Sequence, residues 1–237
     1  MVTVHALSPN IEVVAGAEAP ALPSALEAEV TAIWNPERAR RYGLVDGRIF
    51  SVERFSAARI EGRYIPYRCL VAQRADPTLF TDLRVRPLAV SGVLTCKGGI
   101  VFGRRAADVA DDPGRWELVP SGGVSPDSVG SGSRIDLGRQ IRVELDEEVG
   151  LKSADVSSLK VICAVEDDKT HVIDVGIAIV SPLISAEVLA RHERNVSREY
   201  AELAVVARRN LSEFVAARAV IPVSRVLLEQ VGFTFAR

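Results

Sequence analysis

Between Leu137 and Gly150 apolar side chains recur at Leu137, Ile141, Leu145 and Val149, flanked by Glu144, Glu147 and Glu148. At about 100° per residue, this spacing puts the apolar residues in one helical stripe. The three glutamates, three and four apart, fall on one side of the same helix. Glu148 lies at the edge of the stripe. A partly buried carboxylate beside two others is costly unless something neutralises it. A hard cation with oxygen ligands, Mg²⁺ or Mn²⁺, is the economical answer, and Gly150 is placed to end the helix in a left-handed cap. Few folds need such a stretch, and the rest of the chain is arranged about it.

An acidic run on a helix is commonly only a solvated face. What argues for chemistry is the preceding segment. Trp116-Glu117-Leu118-Val119 reads as a strand that enters the turn Pro120-Ser121-Gly122-Gly123-Val124, and a polar loop from Ser125 to Ser133 leads on to the acidic helix.

These pieces together resemble the Nudix hydrolase signature, a glycine turn and loop followed by an Arg-Glu-apolar-x-Glu-Glu-x-Gly-apolar helix. The helix half here is Val143-Glu144-Leu145-Asp146-Glu147-Glu148-Val149-Gly150-Leu151. Two departures stand out. Val143 replaces the usual arginine, with Arg142 one place early, and the long loop lacks the glutamate that pairs with that arginine. Losing both halves of an ion pair strands no charge, so the box reads as divergent but chemically intact.

The resemblance implies an α/β/α sandwich on a mixed sheet over residues 87–237, with residues 1–86 as a smaller α+β extension packed on it. It carries metal binding to Glu144, Glu147 and Glu148, and to the carbonyl of Gly123. It also implies hydrolysis of a nucleoside diphosphate linked to another group. Val30 to Trp34 and Gly43 to Phe50 resemble the start of the Nudix branch that hydrolyses UDP-glucose and UDP-galactose, which ranks UDP-sugars first. Arg104 and Arg105 are candidates for holding a phosphate, because arginine forks match its oxygens. Glu202, with Glu199 beside it, precedes a strand where the family often has a further acidic metal or base residue, and is a candidate for contacting substrate along with the arginines. Tyr64 and Tyr67 are candidates for stacking on a base, with packing as the default, and Trp34 and Trp116 are expected in the core.

The same residues admit a non-hydrolytic module that only binds a nucleotide, favoured by the missing arginine and disfavoured by the intact glutamates. An isomerase on this fold would want a reactive cysteine. Cys69, Cys96 and Cys163 lie far apart, and the latter two sit in apolar runs that predict reduced core residues. A net charge of −2 makes no electrostatic case for nucleic acid or an anionic membrane. No apolar stretch approaches membrane-spanning length and no basic-then-apolar leader is present, so the expectation is a soluble, cytoplasmic protein acting on a small molecule. The oligomeric state is left open.

In chain order, the pattern predicts a strand at Ile11 to Val14, a linker at Ala15 to Pro23, and a helix from a Ser24 cap to about Arg41, broken or kinked at Pro36. A strand at Ile49 to Phe55 and a strand pair between Ala58 and Ala72 follow, and then a seam at Arg84-Val85-Arg86-Pro87. Leu88 to Cys96 and Ile100 to Arg104 read as a hairpin closed by Gly98-Gly99. Later strands are expected at Leu159 to Val165, His171 to Val180 and Leu203 to Ala207, with helices from Ser185 to Glu193 and Pro222 to Val231.

Overall fold

The structure is a computed structural model describing residues 2–41, 43–109, 111–196 and 199–235. In order, the first part holds β1 (Val2–Ala6), β2 (Glu12–Ala15), α1 (Ser24–Arg40), β3 (Arg48–Phe55), β4 (Arg59–Pro66), α2 (Tyr67–Ala75) and α3 (Phe80–Leu83). The second holds β5 (Leu88–Cys96), β6 (Gly99–Arg105), β7 (Trp116–Leu118), β8 (Ser121–Gly123), α4 (Leu137–Glu144), β9 (Ser158–Asp167), β10 (Ile173–Val180), α5 (Ser185–Arg194), β11 (Tyr200–Val206), α6 (Leu211–Ala217) and α7 (Pro222–Gln230).

A mixed sheet of eight strands runs β1-β9-β10-β5-β6-β11, with β7 added to β6 and β8 to β5; β10 and β5 are parallel. Helices cover both faces. Leu137, Ile141 and Leu145 pack with Leu88, Val90, Val175 and Ile177 on one side. Phe214, Leu227 and Leu228 pack with Val93, Phe102 and Val165 on the other. The architecture is therefore the α/β/α sandwich with a mixed sheet that the resemblance implied, with a smaller α+β unit attached. Burying apolar side chains on both faces of the central strands explains their near-continuous apolar runs.

The smaller unit is a three-stranded sheet, β2-β4-β3, with α1 and α2 on its outer face. Its inner face, Val13, Phe50, Val52 and Ile60, joins the core around α4. Backbone bonds from Val52 N–H to Arg86 O and from Ile135 N–H to Val13 O stitch it to the sandwich. β1 crosses the sequence seam and pairs with β9 in the large sheet.

Several local expectations change. The strand pair predicted up to Ala72 is one strand, β4, followed by α2: Pro66 is extended at the helix entry, and Cys69 to Gln73 bury together. α1 continues through Pro36, which sits on an exposed part of the helix, and Ser24 is its first residue rather than its cap. The predicted hairpin holds only at its tip, where Thr95 and Cys96 face Ile100 and Gly99. Beyond the tip the strands diverge to β8 and β10 on one side and β7 and β11 on the other. His171 lies before β10 at φ 58°, stacked on Phe80 with ring centroids 3.8 Å apart. All three cysteines are buried, and burial pushes the Cys69 and Cys163 thiols up to about 11. That disfavours a reactive thiolate at Cys69 and Cys163, and Cys96 packs in the core.

Candidate active site

The acidic helix is α4 extended by one π-helical turn, Leu145–Val149, and closed by Gly150 at φ 76°. A widened turn leaves carbonyls without their usual partners. Side chains from the end of α5 take them up: Asn195 Nδ2 donates to the Asp146 and Glu147 carbonyls, and His192 Nδ1 lies 3.1 Å from Glu148 O. A side chain at Gly150 would also run into the Arg191 carbonyl, so glycine is required there by φ and by space.

Glu148 is 6% exposed. One of its oxygens, Oε2, accepts hydrogen bonds from the Ser121 N–H at 3.0 Å and the Tyr200 hydroxyl at 3.2 Å. Burial drives its carboxyl well above the ordinary range, and the neighbouring Glu144 adds to the shift. Glu144 is pushed up to about 7, by burial first and then by Glu147 and Glu199, against a hydrogen bond from Gln140. Gly122 makes room for it: a Cβ there would overlap the Glu144 carboxylate. The glycine turn and the helix are thus fitted to each other. Gly123, the expected carbonyl ligand, is exposed with open space around its Cα, and Gly122 is the glycine in contact.

Glu147 is exposed, and the charge it places on Glu144 is its link to the other two. Among the described residues no three His, Cys, Asp or Glu side chains stand close enough to form a ready metal-binding group. Of the expected trio, Glu148 is buried, Glu144 half-buried and Glu147 exposed.

Three partners were not legible as site residues. Glu117, 3% exposed on β7, accepts from the Tyr200 hydroxyl at 3.0 Å and from Arg105 Nη1 at 2.6 Å. Burial raises its carboxyl while Arg105 pulls it down. Tyr200 bridges Glu117 and Glu148 and packs against Gly103, where a Cβ would clash with its ring. Gln140, 2% exposed, takes the job of the missing ion pair. Its Oε1 accepts from the Ser125 N–H and the Ser128 hydroxyl, and its Nε2 donates to Glu144 at 2.6 Å. A neutral amide so ties the long loop to the helix. The i,i+4 spacing of Gln140 and Glu144 was the available signal.

The arginine candidates are already engaged. Arg105 is held by Glu117 and by Glu199 at 2.8 Å, with its side chain 13% exposed, so it neutralises the site from within rather than waiting for a phosphate. Arg104 and Glu202, assigned separately to substrate, pair with each other at 2.9 Å across β6 and β11. Tyr64 stands edge-on to Phe50 and donates its hydroxyl to Ser125 O at 2.8 Å, and Tyr67 stands edge-on to Trp34. Both pack, and both tryptophans are buried.

No family model matches the chain, and no curated protein matches it in sequence. Solved structures resemble it at low identity. One is a Deinococcus radiodurans protein, 15% identical, covering 77% of this chain and 98% of that one at a TM-score of 0.49. A MutT Nudix hydrolase from Burkholderia pseudomallei is 21% identical, over 61% of this chain and 97% of that one, at 0.44. A MutT protein from Methanosarcina mazei is 20% identical, over 61% and 91%, at 0.42.

Proposed function

We propose that the protein is a divalent-cation-dependent hydrolase of the diphosphate bond in a nucleoside diphosphate derivative, with a UDP-sugar ranked first. The observation that carries this reading is a buried Glu148 beside a half-buried Glu144, with no basic side chain paired to either among the described residues and a glycine cut away to admit one of them. Two hard oxygen donors raised by burial and mutual repulsion suit a cation such as Mg²⁺ or Mn²⁺, so the residues fit the group. Glu144 and Glu148 would hold it, with Glu147 at the mouth. When bound, such an ion neutralises diphosphate oxygens and lowers the pKa of an attacking water.

The protein's own groups set the stage for that. The Ser121 N–H and the Tyr200 hydroxyl fix the direction of the Glu148 carboxylate. The Gln140 amide fixes Glu144. Arg105 neutralises Glu117 and Glu199, which keeps their charge from adding fully to the pair. The unit built on β2, β3 and β4 would shape the entrance, a reading supported by the Tyr64 bond to the loop at Ser125. The alternative, a module that binds without hydrolysis, is favoured by the loop's departure from the usual box. No helix among the described residues is long and apolar enough to cross a membrane.

The test is a panel of nucleotide sugars, ADP-ribose and dinucleotides, assayed with Mg²⁺ or Mn²⁺ and again with chelator. The expected result is release of a nucleoside monophosphate and a sugar 1-phosphate from UDP-sugars, abolished by chelator. Metal-dependent binding of a nucleotide without turnover of any substrate would establish the module instead.

A further inference from the structure

The turn that carries Glu147 and Glu148 is held from outside its own helix. The last carbonyls of any helix lack an intrahelical donor, and a π-type turn widens the ladder further. Here the donors come from one face of α5. Val188, fully buried, fixes that face on the core, and Arg191, His192 and Asn195 follow it at helical spacing.

His192 Nδ1 meets the Glu148 carbonyl at 3.1 Å, and since a carbonyl only accepts, Nδ1 carries the proton. Asn195 Nδ2 donates to the Glu147 carbonyl at 2.7 Å and to the Asp146 carbonyl at 3.2 Å. Just past the glycine cap, Asp155 accepts Arg191 Nη2 at 2.8 Å and the Lys152 N–H at 2.9 Å. The Arg191 carbonyl itself lies 2.9 Å from where a Cβ on Gly150 would stand. The consecutive carbonyls of Asp146, Glu147 and Glu148 are thus all fixed by side chains from one helix. Satisfying them does not require this, because Glu147 is exposed and water serves an exposed helix end.

What the clamp changes is the direction of the carboxylates. In a regular α turn Glu147 would stand over Glu144, three residues earlier. A ladder that closes five residues back turns the chain less per residue, so Glu147 lags outward, in keeping with its exposure. Glu148 faces inward, where it accepts the Ser121 N–H and the Tyr200 hydroxyl. The width of the turn therefore decides which glutamate is inside and which is outside.

We propose that His192 and Asn195 are positioning residues of the carboxylate site: by holding the widened turn they set Glu148 inward beside Glu144 and leave Glu147 outside. The proposal rests on the reading of those carboxylates as the holders of a cation. Neither residue touches the ion or the substrate. Removing a partner that orients a metal ligand weakens metal binding by about tenfold or more.

The experiment is calorimetric titration of the full chain with Mn²⁺ alone, at a temperature where parent and variants are folded, with melting curves in chelator beside it. The parent should bind saturably, and Glu148→Gln should bind far more weakly. His192→Ala and Asn195→Ala should each lose about tenfold in affinity. His192→Asn should recover most of it, because its amide nitrogen can take the place of Nδ1. His192→Gln, whose nitrogen lies one bond further out, should recover less. If His192→Ala does not fold, Asn195→Ala and the two amide variants carry the test. A clamp that only supports the fold would lower the melting temperature in chelator and leave the Mn²⁺ affinity of the folded protein at the parent value. That result overturns the proposal and leaves the cation reading standing. Tighter binding in the alanine variants also overturns it, since the widened turn would then oppose the ion. Absence of Mn²⁺ binding in the parent, or binding unchanged in Glu148→Gln, overturns the cation reading and this proposal with it.

Discussion

The two faces of the large sheet both bury carboxyl groups, and they accommodate them differently. On the side of α7, Asp174 is 8% exposed and its Oδ1 accepts the Ser91 hydroxyl at 2.9 Å. Burial pushes it up to about 6, so below that pH much of its cost is met by holding a proton. On the side of α4, Glu117 and Glu148 share the Tyr200 hydroxyl, Glu144 adds its charge to Glu148, and Arg105 is spent on Glu117 and Glu199. A lone buried carboxyl can settle as a neutral hydrogen-bonding group. A crowded set raises each member's pKa in turn, which is unfavourable for the folded protein unless a positive charge enters. The first arrangement serves the fold, and the second suits the cation proposed for it.

The largest effect that would break this contrast is in Glu148→Gln. Gln keeps a carbonyl to accept from Ser121 and Tyr200 but removes the charge. Because burial raises the Glu148 carboxyl, its contribution to stability is present at low pH and is lost as pH rises. The metal-free variant should therefore melt no lower than the parent at neutral pH. Metal-dependent stabilisation should shrink, since a ligand stabilises the folded state in proportion to its occupancy. Hydrolysis should fall roughly a hundredfold or more, a barrier increase of about 3 kcal/mol. Melting curves with and without Mg²⁺ and one rate measurement check it. A variant that melts markedly lower without metal and turns over at the parent rate would make Glu148 structural, like Asp174.

On the other face, Asp174→Asn should give a smaller effect, and on stability alone. The folded pKa is about 6 against an ordinary 3.8, so the folded state holds a proton that the unfolded chain releases. That contribution is complete below the unfolded value and is lost as pH rises through the folded one, by at most about 3 kcal/mol. Asn keeps an oxygen for Ser91 and does not titrate. Its stability relative to the parent should improve between about pH 4 and about pH 7, as measured by urea unfolding at both. A constant difference would show that Asp174 does not carry a raised pKa. Metal-dependent activity should be untouched.

What could be seen in the sequence divides along the same line. The stripe from Leu137 to Val149 and the cap at Gly150 are local periodicities, and they appear where the spacing put them. The neutralising partners are not local. Tyr200 meets Glu117 from 83 positions away, and Arg105 reaches it only because β6 and β7 pair. Arg104 and Arg105 looked free because the acids that hold them, Glu202, Glu199 and Glu117, come from other strands. β1 escaped notice for a similar reason: five residues show little pattern, and their pairing partners are Cys163 to Asp167. α2 was misread because Tyr67 to Ala72 has strand-like composition, and only the helix entry at Pro66 and the shared burial of Cys69 to Gln73 reveal it.

The smallest effect expected is in Val143→Arg, which restores the arginine that the usual box carries. Val143 is partly buried on α4, immediately before Glu144. In the usual box an arginine here meets a glutamate from the loop. In this chain the stretch 125–133 has Asp127 as its one carboxylate and no glutamate. The loop is instead fastened by Gln140, whose carbonyl receives Ser125 and Ser128 and whose amide faces Glu144. The connection is thus already made, and made without charge. A guanidinium at 143 gains no designed partner and forfeits some hydration, a cost that stays small because the long side chain can reach solvent. Stability should stay within about 0.5 kcal/mol of the parent, and the metal-dependent rate should not rise. Urea unfolding and one progress curve decide it. A gain in both would mean that a carboxylate meets the arginine after all, and that the carboxyl-rich face lacks a positive charge it can take from within.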